Sequence, residues 1–181
     1  MTDAHAPCLL DPQQLDAYLL RVAREIAAAF GHDENLVLVG IRSRGLPLAE
    51  RLGAKLHTIL NREVPLGILD ISLYRDDLTE MAGSPIVRPT EIPFRLKGKT
   101  VVLVDDVLFT GRTIRAALDA LQDHGRPSRV WLAVLVDRGG RELPIQADFV
   151  GLKLEVPLNQ RVSVRVVEID KMDGVFLEGR S

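Results

Sequence analysis

Two adjacent carboxylates, Asp105 and Asp106, follow the apolar run Val101-Val102-Leu103-Val104, and a turn with Thr110, Gly111 and Thr113 comes directly after them. Ile114, Ala117, Leu118 and Leu121 then recur at helical spacing as far as Gly125, so the turn opens a helix. Backbone N–H groups, two hydroxyls and the positive end of the helix dipole converge there. That is a receptor suited to a phosphate dianion, and Gly111 lets main chain approach the oxygens. The acidic pair suits vicinal hydroxyls or a hydrated Mg²⁺, both of which an acceptor-only group can bind. Phosphate beside diol describes a ribose 5-phosphate.

Other chemistries lack their residues. No G-x-x-x-x-G-K-[ST] run and no G-x-G-x-x-G occurs, which removes the main support for an ATPase or a dehydrogenase. His5, His32, His57 and His124 stand at unrelated spacings, and the single cysteine, Cys8, has no second thiol. A structural zinc site and an intrachain disulfide are therefore excluded, and no side chain is expected to ligate a metal directly.

The elements that must position the doublet read as alternating strands and helices. Asp11-Pro12-Gln13-Gln14 has the form of a helix start, and Leu15, Leu19, Val22, Ile26 and Ala29 follow at helical spacing up to Gly31. Leu36 to Val39 is a buried strand ended by Gly40, and Leu48, Leu52, Leu56 and Ile59 mark the helix after it. Val64 to Ile71, interrupted by Pro65 and Gly67, reads as a strand at an edge, and Val130 to Val136 as a further buried strand. This predicts an α/β fold, a mostly parallel sheet flanked by helices, with the working residues at the C-terminal strand ends. Residues 72–94 carry mixed charge and three prolines without periodicity, and are expected to form a flexible lid loop. After Val136 come shorter β-like pieces, Asp148 to Leu154 and Val162 to Ile169, so residues from about 137 to 181 are expected to contribute a small cap.

The chain of 181 residues suits one domain, residues 1–181, with 46% hydrophobic and 27% charged residues. The net charge of −2 is far from that of a protein coated for nucleic acid. With one cysteine, no leader-like start and no apolar run of about 18 residues, a cytoplasmic protein with no membrane partner is expected.

Val101 to Thr113 resembles the phosphoribosyl pyrophosphate signature of the type I phosphoribosyltransferases, and Ile41-Arg42-Ser43-Arg44-Gly45 resembles their pyrophosphate loop. Asp70 to Leu78 and Val136 to Pro144 narrow the likeness to the bifunctional members that regulate pyrimidine operons and use uracil. The resemblance implies the type I phosphoribosyltransferase fold and the reaction of uracil with phosphoribosyl pyrophosphate to give UMP and pyrophosphate, with Mg²⁺ on the pyrophosphate. It implies catalytic roles for Asp105, Asp106, Arg42 and Arg44. Substrate contacts would come from Ser43, Gly45, Tyr74, Arg75, Val107, Leu108, Phe109, Thr110, Gly111, Arg112 and Thr113, and from Val136, Asp137 and Arg138 near the base. A purine-type enzyme of the same fold without an RNA role is the alternative, and a regulator that has lost catalysis is a further one.

Such members also bind the leader of pyrimidine-operon mRNA when UMP is bound, favouring transcription termination. Arg126, Arg129, Arg138 and Arg141 stand against Asp137 alone, a local excess of +3, and Arg21 and Arg24 lie three apart on the first helix. Arg21, Arg24, Arg138 and Arg141 are the expected RNA contacts. A homodimer, or a tetramer of paired dimers, would join two such patches.

Overall fold

The computed structural model describes residues 6–76 and 87–179. The first strand, β1 (Cys8–Leu10), leads into helix α1 (Pro12–Phe30), where the Asp11 carboxylate accepts from the Gln14 amide and the Gln14 side chain accepts from the Asp11 amide. This reciprocal cap is worth about 1 kcal/mol. The buried stripe is Leu15, Leu19, Val22, Ala23 and Ile26, while Ala29, expected on it, faces solvent.

Then follow β2 (Leu36–Ile41), α2 (Gly45–Leu60), β3 (Leu66–Leu69), β4 (Thr100–Leu108), α3 (Arg112–Asp123), β5 (Arg129–Asp137) and β6 (Phe149–Lys153). The five strands make one parallel sheet in the order β3-β2-β4-β5-β6, with β3 at the edge where its Pro and Gly predict it. Side chains alternate across it. Leu36, Leu38, Val102, Val104, Ala133 and Leu135 pack on α1 and α2, whereas Val37, Val39, Val101, Leu103, Leu132 and Val134 pack on α3. Both faces are covered, which is why these strands read as unbroken apolar runs.

The cap differs from expectation. Residues 149–153, expected in it, form the edge strand beside β5, and the small antiparallel sheet is instead β1-β8-β7, built from β7 (Gln160–Arg165), β8 (Gly174–Gly179) and the first strand. A short helix, α4 (Val167–Asp170), joins β7 to β8. An alternating five-residue strand cannot reveal from its own sequence which sheet it joins. Of the expected lid, residues 77–86 lie outside the described residues, as does His5. The flanks are anchored: Glu91 and Ile68 exchange backbone hydrogen bonds of 2.7 and 2.8 Å, and Tyr74 donates its hydroxyl to Asp123 on α3.

Candidate active site

The C-terminal ends of β2, β3 and β4 open into a cleft of about 910 Å³ roofed by β7 and β8. Strand β4 runs through the acidic doublet rather than stopping before it, so Asp105 is 6% exposed while Asp106 is half-buried at the cleft floor. The Asp106 amide donates to Asp105 Oδ1 at 2.9 Å and the Val107 amide to Asp106 Oδ1 at 2.8 Å. Burial, then the neighbouring Asp106 charge, push the Asp105 carboxyl well above its usual range. Asp70, at the end of β3, behaves oppositely. Burial raises it, but the Ser72 hydroxyl, the Ser72 and Arg88 amides and the Arg42 charge prevail and hold it below the ordinary value.

The polar turn lies at the start of α3. Gly111 has φ +92°, and a side chain there would press on Leu143 and Ile145, so the missing Cβ serves packing behind the turn as well as approach in front. Thr110 Oγ1 accepts from the Arg112 amide at 3.3 Å, its carbonyl accepts from the Glu142 and Leu143 amides, and Thr113 lines the cleft.

Opposite stands the loop from β2 to α2, where the Arg42–Ser43 peptide is cis. Arg42 donates through Nη2 to the Pro89 carbonyl at 3.3 Å and lies 3.6 Å from Glu91, while among the described residues its buried Nε meets no acceptor. An N–H left over at a cleft wall fits an anionic ligand. Arg44 is already engaged: Nε and Nη2 grip Asp170 of α4 at 3.1 and 2.7 Å.

A scan of known families matches residues 13–169 to the phosphoribosyl transferase domain. The chain is 56% identical over 169 residues to the bifunctional protein PyrR of Pelotomaculum thermopropionicum and to that of Thermus aquaticus, with 93% of each chain covered. The chain belongs to the PyrR branch of the phosphoribosyltransferase family. Solved structures carry the fold: the hypoxanthine phosphoribosyltransferase of Trypanosoma cruzi superposes at TM-score 0.72 with 18% identity, covering 96% of this chain and 97% of that one. The hypoxanthine-guanine phosphoribosyltransferase of Bacillus anthracis superposes at 0.70 with 18% identity, covering 97% and 98%.

On this phosphoribosyltransferase scaffold the cleft gathers Arg42, Ser43, Arg44, Arg75, Asp105, Asp106, Val107, Phe109, Thr113 and Arg138 from the expected set. Others stand elsewhere for physical reasons. Gly45 is buried where α2 crosses β4, Leu108 and Val136 are core, and the Tyr74 phenol points to α3. Arg112 pairs with Asp76 and Glu142, and Asp137 with Arg141 at 2.6 Å. Asp137 instead lines a second cavity of about 400 Å³ with Arg141 and Lys153. The sequence reading missed Asp70, Ser72, Arg88, Arg161 and Glu178, which the cleft also holds. Asp70 and Ser72 sit inside a quoted motif and could have been found, whereas Arg161 and Glu178 face each other across β7 and β8 and carry no local signal.

The expected RNA contacts need correction. Arg138 is 2% exposed, donates to the carbonyls of Gln160, Val156 and Pro157, and stacks 4.0 Å over Phe109. It cannot meet an RNA phosphate. The +3 cluster is also not one patch, because β5 separates Arg126 and Arg129 from Arg138 and Arg141 by roughly 26 Å at 3.3 Å per residue. Arg21 pins α1 to β6 through the Val150 and Gly151 carbonyls, and Arg141 spends its guanidinium on Asp137 and the carbonyls of Phe109 and Ile145. Arg24 remains exposed on α1.

Proposed function

We propose that the chain transfers the phosphoribosyl group from phosphoribosyl pyrophosphate to uracil, and that its UMP-bound form binds pyrimidine-operon leader mRNA and favours termination. The observation that carries the reading is the meeting, in one cleft, of an acidic pair at its floor, a hydroxyl-bearing helix start and several arginines, in a chain so close to proteins named bifunctional. The bond from ribose C1′ to pyrophosphate breaks, pyrophosphate leaves with the electron pair, uracil N1 bonds to C1′ and its proton departs. Asp105 and Asp106 hold the diol of a sugar that gains positive charge, the turn at Thr110 to Thr113 holds the 5-phosphate, and Arg42, Arg75 and Arg88 face the departing anion. Phe109 and Arg138 form the wall for the base.

Among the described residues no three His, Cys, Asp or Glu side chains converge as a metal cage. Asp70, Asp105 and Asp106 instead offer scattered carboxylates, which fits Mg²⁺, an ion that keeps its waters and takes one or two carboxylates beside substrate phosphates. When bound, it neutralises pyrophosphate charge. No described helix is long and apolar enough to cross a membrane, and an exposed free Cys8 suits a reducing cytoplasm. A homodimer would carry two copies of the exposed Arg24.

Purified protein with phosphoribosyl pyrophosphate and Mg²⁺ is expected to consume uracil. Consumption of hypoxanthine or guanine with uracil untouched would establish the purine-type alternative, and UMP binding without turnover of any base would leave a regulator only. For RNA, UMP is expected to tighten binding to the leader. Arg24→Ala should weaken it uniformly and reduce the slope of log affinity against log salt by about 1. An unchanged slope in filter-binding titrations would remove Arg24 from the interface.

A further inference from the structure

We infer that Asp170 is a positioning residue for the leaving-group loop: by holding the Arg44 guanidinium it fixes the path of residues 42–44 and sets how strongly the cleft takes pyrophosphate-bearing ligands relative to UMP. The inference rests on the transferase reading above.

Arg44, the residue just before α2, and Arg51 within it stand seven residues apart, about two turns, and so project to one side of the helix. Both meet the segment that joins β7 to β8, but they do different things there. Arg51 donates to both oxygens of Glu168, at 2.9 and 2.7 Å, and to both oxygens of Asp173, at 3.0 and 2.8 Å. Those four bonds fasten α4 to α2 without Arg44. Asp170 is itself held in place, since its Oδ2 accepts from the Val166 amide at 2.9 Å. Its remaining capacity goes to Arg44, as a bidentate fork between side chains that are 33% and 18% exposed. Shielding of that degree separates it from exposed surface pairs, which contribute little.

Arg44 is the last residue before α2 and lines the cleft with Arg42 and Ser43, so fixing its guanidinium fixes the loop opposite the phosphate turn. Asp106 and Glu178 also face the Arg44 charge, and without Asp170 the long side chain could swing towards either. UMP has a 5-phosphate, a ribose and a base but no pyrophosphate. A defect confined to residues 42–44 therefore separates the two ligands, whereas general loosening of the cap would affect both. Removing the Asp170 charge also lessens repulsion of an anion, an effect of opposite sign. The positional loss is the larger because the pair is already neutral as a unit and a freed arginine loses its preset geometry.

The test is a double-mutant cycle of Arg44→Gln, Asp170→Asn and the combination. Inorganic pyrophosphate, phosphoribosyl pyrophosphate with Mg²⁺, and UMP are each titrated calorimetrically. Each single variant is expected to weaken both pyrophosphate ligands about tenfold, the double variant no more than about twofold further, and UMP affinity to stay within about twofold. The loss should fall on KM for phosphoribosyl pyrophosphate rather than on kcat, and Asp170→Glu should recover part of it. Tighter pyrophosphate binding by Asp170→Asn, losses that add in the double variant, or UMP affinity falling in step would each overturn the inference. Arg51→Gln, which loosens α4 while sparing Arg44, reports cap stability as a lowered Tm in the same series. A wild-type protein that binds UMP but neither pyrophosphate ligand would instead sink the transferase reading itself.

Discussion

Asp105→Asn combined with Asp106→Asn is expected to lower kcat/KM for uracil about 10³-fold, within the range seen when preorganised charge is removed from a reacting centre, while the fold survives. The same variant should melt higher than the wild type. The motivating fact is that Asp105 is buried, beside a second carboxylate, with its pKa raised well above the usual value. A carboxyl raised in this way binds protons on folding. Its stability contribution is therefore most favourable below the unfolded pKa of about 3.9, declines as pH climbs towards the folded pKa, and stays at the lower level above it. At neutral pH the chain carries that cost, and an amide does not. A rise of about 2–4 °C corresponds to each kcal/mol recovered in a chain of this size. Steady-state kinetics and a thermal melt at two pH values check both halves, and the difference in Tm between variant and wild type should shrink in acid. Turnover near the wild-type rate would refute the role of the doublet, and a lower Tm at neutral pH would refute the electrostatic account.

Gly45→Ala is the second large effect, here on stability. A Cβ at Gly45 would lie well under 3.0 Å from the Val104 carbonyl oxygen and 3.2 Å from Asp105 Cα, both rigid backbone of β4. Nothing there can rotate away, so helix α2 must lift from the sheet. Overpacking of this kind costs about 3 kcal/mol, a fall in Tm of roughly 6–12 °C. Activity should fall as well, because the strand being displaced is the one that presents Asp105. Gly53→Ala is the control: on the same helix its Cβ would find only a Leu38 methyl at 3.8 Å, and it should be neutral or stabilising by up to about 1 kcal/mol. Equal behaviour of the two variants would show that close approach at Gly45 is not what limits the packing.

The architecture and the centre of the site were legible because each rests on a local pattern. Buried strands spell themselves out as apolar runs, the capping residues of α1 are adjacent in sequence, and the acidic doublet with its turn lies within thirteen residues. What was illegible depends on which distant residues meet. Arg138 and Arg141 look like surface cations in sequence, yet each finds carbonyl acceptors that only the folded loops supply. Arg44 looks like a free cation for pyrophosphate until Asp170, far along the chain, is brought to it. Gly45, which the resemblance offers as a substrate contact, makes room for a strand. Arg161 and Glu178 reach the cleft through a cross-strand register that neither strand records alone.

The small sheet pairs Cys8 with Phe176 and Leu10 with Val175, joining segments from near opposite ends of the chain through a three-residue strand with an irregular register. Contacts so remote in sequence form late, and a short ladder opens at a lower free energy than the five-stranded core. Because Val162 and Glu178 of that sheet also touch the cleft, a nucleotide seated there would hold the two ends together. Occupancy would then slow amide hydrogen exchange at residues 8–10 and 174–179 alike, so that the chain's extremities report on a ligand bound near its middle.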